Sequence, residues 1–356
     1  MRTRESLQTE SGVTRPRSTT VDRYAFLRKA RSYVAIVAIT MIASLGLGEI
    51  YLRLAYWEGT TFSAGRGPFG ARFERNFQFN RYDGPSRGPE VSGSEHEDSI
   101  RILIQGDSIT WGQGVKDEGL LFTSLLGERL RSIDPGVEVA VLARPGREID
   151  GHLAQLRKWG AEIGPDIVIY QWFINDLELD KSHRPGRDRG WRRFVFPGFV
   201  TQRSYLWYFL DYRIGTLLPG APYEDYMREH FHRDSEGWRL FAEQFRRWAI
   251  EAKRLTPNVL VAMYPYLLPS PDVPLREFNA WMKELCEEEG VAVINLLEPL
   301  DVFRDDFTQT YASPFDSHPS AAAHAKIADA LCRRILDLWP NVFHPPKAPA
   351  NHQRHV

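Results

Sequence analysis

The sequence predicts a three-layer α/β/α sandwich around a central parallel sheet, with a membrane-spanning helix ahead of it. Short apolar runs rich in β-branched residues alternate with helix-like stretches: Arg101-Ile102-Leu103-Ile104-Gln105, Val137 to Leu142, Asp166 to Trp172 and Val291 to Leu296. Strands alternating with helices need crossover connections, and right-handed crossovers make a parallel sheet whose strands all point their carboxyl ends to one edge. Separately, Val34 to Gly48 carries no charge. With 356 residues, 43% hydrophobic and 12% aromatic, the chain can bury one substantial core plus an insertion.

The first element is the apolar run. Residues 1–32 are polar and rich in arginine, and residues 33–57 form the expected span, with Glu49 and Arg53 near its end beside Tyr51, Tyr56 and Trp57. A helix needs roughly 20 apolar residues to cross a bilayer, and amphipathic aromatic and charged residues suit its interfaces. Arg15, Arg17, Arg23, Arg28, Lys29 and Arg31 precede the span. Their side is expected to be cytoplasmic, which places the body outside, in the periplasm or beyond the cell. A cleaved signal peptide and a buried core helix are the alternatives; the first lacks an evident small-residue cleavage site. Residues 58–97, rich in Pro, Gly and Ser between Gly65 and Gly93, read as a linker or irregular edge segment.

The first strand runs into Gly106-Asp107-Ser108, followed by Ile109-Thr110-Trp111-Gly112, and the periodicity from Leu120 to Leu130 predicts a helix beyond. A serine there stands at the carboxyl edge of the sheet, where open α/β folds keep reactive groups. The second strand ends in Ala143-Arg144-Pro145-Gly146 and the third in Phe173-Ile174-Asn175-Asp176. After the last come Ser313-Pro314-Phe315-Asp316-Ser317-His318-Pro319, expected to be a loop. Ser108, Gly146, Asn175, Asp316 and His318 therefore converge.

The chemistry explains the grouping. A serine hydroxyl needs a base to take its proton; His318 is the candidate, with Asp316 orienting the imidazole and stabilising its cationic form. The attacked ester develops an oxyanion, for which the Asn175 amide and the N–H groups of Gly146 and Ser108 are the expected donors. Threonine at 110 stands where the nucleophile elbow of α/β-hydrolases has its second glycine, so the serine belongs to another fold.

These residues and their order resemble the SGNH (GDSL-like) hydrolase superfamily over about residues 98–340. Gly106-Asp107-Ser108 with Gly112 matches its first block, Pro145-Gly146 the second, Asn175-Asp176 the third and Asp316 to His318-Pro319 the fifth. The resemblance implies a flavodoxin-like sandwich, a serine esterase working through an acyl-enzyme, Ser108 as nucleophile, His318 as base, Asp316 as orienting acid, and Ser108, Gly146 and Asn175 as the oxyanion hole. Two positions depart from the pattern. Phe173 stands where the family has glycine two residues before the asparagine, and Phe315 holds the usual aspartate position three before the histidine. A Ser108–His318 dyad, or Asp305 or Asp306 as acid, stays open.

Residues 181–244 read as an insertion capping the site, with Trp191, Arg192, Arg193, Phe194 and Phe196 mixed through it and Tyr205 to Leu210 as lid or as the insertion's own core. His230 and His232, without a third ligand nearby, read as surface residues rather than a metal site. His324 is expected to pack or cap, and Asp107 and Asp176 to hold loops. Cys286 and Cys332 fall in predicted helices and read as buried free thiols. Residues 341–356 form a tail. The net charge of −1 and the lack of a basic stripe give no reason to expect nucleic acid. The expectation is a membrane-anchored, outward-facing serine esterase needing neither metal nor cofactor, acting on an envelope glycan or lipid ester. An acyltransferase using the same site, and a glycan-binding scaffold that has lost the chemistry, are the alternatives.

Overall fold

A computed structural model describes residues 19–56, 87, 89, 99–179, 196–201, 203–217, 223–267, 275–313 and 316–343. The chain divides into two units, 1–54 and 55–356. The first is a helix, Thr19–Tyr56, whose Leu27–Leu54 stretch is long and apolar enough to cross a membrane. The helix starts well before residue 33, because the arginine-rich segment contains no proline or glycine after Pro16 to stop it. Glu49 and Arg53, one turn apart, pair at 2.7 Å, so the charges that interrupt the apolar run partly offset each other.

The second unit is built on five parallel strands: β1 (Ile100–Gly106), β2 (Val137–Ala143), β3 (Ile167–Trp172), β4 (Val259–Met263) and β5 (Ala292–Asn295). They lie in the order β2-β1-β3-β4-β5, the flavodoxin-like arrangement. The short run Val259 to Met263 completes the sheet between the third strand and the last; all five of its residues are buried. Burial on both faces, which calls for a continuous apolar run, is the reason alternation is absent from the strand sequences.

Alternate strand residues serve opposite layers. Leu103, Val168, Tyr170, Val259 and Val261 face the Ile149–Ile163, Glu236–Leu255 and Arg276–Glu288 helices. Ile102, Ile104, Val139, Ile167 and Leu260 face the Phe122–Arg131 and Ala321–Leu338 helices. Cys286 belongs to the first layer and Cys332 to the second, so the sheet separates two buried free thiols. The Glu236–Leu255 helix puts Trp238, Phe241, Phe245 and Trp248 into the core, so residues 236–244 of the expected insertion are part of a sandwich layer. Trp191 to Phe194 lie outside the described residues; Phe196 meets Trp207 edge-on at 4.8 Å. His230 shares a ring contact with Tyr226 and hydrogen-bonds its carbonyl oxygen at 3.0 Å.

His324 is fully buried, stacked on Phe122, with Nδ1 accepting the Phe122 N–H at 3.1 Å at the start of the Phe122–Arg131 helix. Burial, helped by the charge of Arg87, pushes its pKa from 6.5 down to about 3. An unfolded chain takes up that proton near pH 6.5, so between about 6.5 and 3 the unfolded state binds more protons and stability falls on acidification. In His324→Gln the loss of stability between pH 7 and 5 is expected to be shallower than in the wild type, by up to about 1.4 kcal/mol per pH unit. Equal pH slopes in thermal melts of the two chains would count against this.

Candidate active site

The order β2-β1-β3 fixes where a site can form. The chain leaves β1 toward β2 and then returns past β1 to β3, so the switch point, where open α/β sheets place their ligands, lies beyond the carboxyl ends of β1 and β3. Ser108 follows β1 and Asn175 follows β3.

At the end of β1, Gly106 is needed for space. A β-carbon there would come within 2.0 Å of Thr110 Oγ1 and 2.7 Å of Gln171 Oε1. Thr110 donates to Gln171 at 2.9 Å, so these two side chains tie the turn to β3 from beneath. Thr110 therefore occupies the room that a second glycine would leave. Asp107 caps a one-turn helix, Ser108–Trp111, by accepting the Ile109 N–H at 2.9 Å, and Gly112 ends it at φ 75°. Ser108 opens that helix, so its N–H has no partner within it.

His318 comes from a β-ribbon rather than the expected loop: β6 (Tyr311–Ser313) pairs antiparallel with β7 (Asp316–Pro319). Just beyond, Ser320 donates to the carbonyls of Thr310 and Gln309 and caps the Ala321–Leu338 helix through the Ala323 N–H. Held between a paired strand and a capped helix, His318 places Nε2 2.8 Å from Ser108 Oγ. Ser108 is 8% exposed. The side chains of Asp316 and Phe315 lie outside the described ones; Asp316 opens β7 opposite Ser313.

Gly146 takes φ 70° at the third position of the turn Arg144–Arg147, closed by Arg147 N–H to Arg144 O at 3.1 Å. Pro-Gly at the two central positions suits such a turn, because proline presets the first φ and glycine supplies the positive one. The Arg144 N–H bonds Gly106 O at 3.2 Å, which holds this turn against the one that bears Ser108.

Asn175 lies in a single turn, Ile174–Leu177, after β3. Its Nδ2 donates to Asp107 Oδ2 at 3.1 Å. A carboxylate oxygen accepts only, so this bond sets which way the amide faces and leaves one Nδ2 hydrogen for another acceptor. Asp176 holds the same turn: its Oδ2 accepts from the Tyr170 hydroxyl at 2.8 Å and the Phe173 N–H at 3.1 Å. Burial, reinforced by the charge of Asp107, keeps the Asp176 carboxyl well above the usual carboxylate range. Burial also raises Asp107, against the Ile109 and Asn175 hydrogen bonds and the charge of His318. Phe173, in place of the family's glycine, has φ −137° and ψ 154°, extended backbone open to any residue, and its ring packs against Tyr264.

One contributor has no signal in the sequence. Arg87, in the segment read as linker or edge, is fully buried; its guanidinium lies over Trp111 and donates to Gly112 O at 2.9 Å and Lys116 O at 3.1 Å. It braces the loop behind Ser108, and a lone arginine in a polar stretch gives no hint of that. The Asp107–Asn175 bond is likewise invisible in sequence, since its partners lie 68 residues apart.

Residues 104–326 match the model of the GDSL-like lipase/acylhydrolase family. The chain belongs to that family. As a GDSL-like protein it is a hydrolase of esters. Among solved structures it is similar to TesA, at 18% identity and TM-score 0.43, over 67% of this chain and 98% of that one. It is also similar to a catalytic mutant of Axe2, an acetylxylan esterase from Geobacillus stearothermophilus, at 17% identity and TM-score 0.42, over 66% of this chain and 94% of that one. LAE5, an alpha/beta hydrolase enzyme from the metagenome of Lake Arreo, Spain, matches at 16% identity and TM-score 0.41, over 67% and 96%. No curated protein matches the chain.

Proposed function

We propose that this GDSL-like hydrolase is a membrane-anchored serine esterase whose catalytic domain faces the outer side, cleaving an O-acyl ester on an envelope glycan or lipid. The observation that carries the reading is the 2.8 Å contact between Ser108 Oγ and His318 Nε2 at the carboxyl edge of a parallel sheet. In this reading His318 takes the hydroxyl proton as Ser108 Oγ attacks the ester carbon. The carbonyl oxygen becomes an oxyanion facing the Ser108 and Gly146 N–H groups and the second Nδ2 hydrogen of Asn175. The tetrahedral intermediate collapses, His318 hands its proton to the departing alcohol, and water repeats the sequence on the acyl-enzyme. Asp316 is the proposed orienting acid. We assign residues 98–340 to the catalytic domain and 33–57 to the anchor, with the arginine-rich terminus in the cytoplasm by the positive-inside rule.

Labelling with a fluorophosphonate probe tests the nucleophile directly. The full chain in detergent is expected to be labelled at Ser108 and the Ser108→Ala chain left unlabelled; equal labelling of both would overturn the reading. Asn175→Ala is expected to lower kcat by roughly 10²- to 10³-fold, the loss of one oxyanion donor. A change of less than twofold in steady-state ester hydrolysis would remove Asn175 from that role.

A further inference from the structure

We propose that Arg87, in the segment ahead of the first strand, is a positioning residue that sets the working geometry of the turn bearing Ser108. The inference rests on the esterase reading above and adds to it a residue from outside both the 98–340 domain and the family match, which begins at residue 104. Arg87 belongs to the same compact unit as the sheet, residues 55–356. It is 0% exposed, and a buried guanidinium is tolerated only where its donors find acceptors. Burial pulls its pKa down, and the Glu118 carboxylate, 3.3 Å away, offsets part of that.

The acceptors give the residue its role. Nη1 donates to Gly112 O at 2.9 Å and Nη2 to Lys116 O at 3.1 Å, and the guanidinium lies 5.1 Å from the centroid of the Trp111 ring. One fork thus spans the loop after the Ser108–Trp111 helix, taking carbonyls that a helix end leaves unpaired. That loop is tied to the Ser108 backbone, since the Gly112 and Gln113 N–H groups both bond Ser108 O, the second at 3.0 Å. A path of two hydrogen bonds through Gly112 therefore joins the guanidinium to the Ser108 carbonyl. Gly112 and Gly114 take φ 75° and 90°, and the backbone freedom of such glycines is what the two bonds of the fork restrict. A turn that drifts takes the Ser108 N–H away from the oxyanion position and lengthens the 2.8 Å contact with His318. Misplacing reacting groups by about 1 Å costs roughly 10²-fold in rate.

The test is made on the full chain in detergent, with an activated acetyl ester and a fluorophosphonate probe. Arg87→Ala is expected to lower kcat roughly 10²-fold with KM within about threefold of wild type, and to slow labelling at each competent Ser108 by a similar factor. Counting labelled sites at completion separates positioning from folding, because a merely structural arginine lowers the number of sites and leaves the rate at each one unchanged. Guanidinium ion at a non-denaturing concentration, with sodium as the control, is expected to raise the rate per site in Arg87→Ala and not in the wild type. Should Arg87→Ala give no labelled sites, Arg87→Lys carries the test: an ammonium lacks the fork that spans two carbonyls, and the loss of one bond is expected to slow each site roughly tenfold. A wild-type rate per site in the variant tested, or guanidinium acting alike on Arg87→Ala and wild type, would overturn the role of Arg87 and leave the esterase reading standing. A wild-type chain that the probe does not label at Ser108 would instead bring down the esterase reading, and the role of Arg87 with it.

Discussion

Ser108→Ala is expected to lower turnover of an activated acetyl ester by roughly 10⁶-fold, the loss seen when a serine hydrolase is left with binding and oxyanion stabilisation alone. The substitution removes one oxygen from a residue that is 8% exposed and leaves intact the Asp107 cap, the Gly112 terminus and the Thr110–Gln171 tie beneath the turn. The fold is therefore expected to survive, and a thermal melt within a few degrees of wild type separates lost chemistry from lost structure. Residual hydrolysis above about 1% of wild type in a preparation free of contaminating esterase would show that another group attacks the ester.

His318→Ala is expected to cost about as much, again roughly 10⁶-fold, and the double variant Ser108→Ala with His318→Ala little more than either alone, because a nucleophile and base in the proposed roles act as one unit. The 2.8 Å contact between them is the physical reason for that non-additivity. Asp316→Asn separates a triad from a dyad: a loss of about 10⁴ is the expectation for an acid that holds the imidazole tautomer. Near-wild-type kcat would give that role to another acid or to none. Losses that multiply in the Ser108, His318 double variant would mean that the two side chains act in different steps.

Much of this site is legible in the chain because its residues come directly after strands. Gly106-Asp107-Ser108, Pro145-Gly146 and Asn175-Asp176 each follow an apolar run, and a parallel sheet sends all such exits to one edge. The Pro-Gly pair also reports its own backbone conformation, since positive φ in that turn is a local requirement. The loop expected around His318 became a β-ribbon because pairing between Tyr311 and Pro319 depends on the register of two short segments that carry no alternation of their own. Val259 to Met263 was equally hard to read: five apolar residues without period are a strand only when a sheet receives them on both faces.

The sequence by itself determined four of the sheet's five strands, the apolar amino-terminal helix, the serine at a strand end and the histidine proposed to serve it, because each is a property of local composition and spacing. Only the tertiary structure decided which groups hold those residues in place. Arg87 beneath the Trp111 loop, Asp107 turning the Asn175 amide, and Thr110 against Gln171 all join segments far apart in the chain. Such contacts depend on how the strands are ordered and how closely their exits approach, and side-chain geometry at that scale exists only once the sheet has formed.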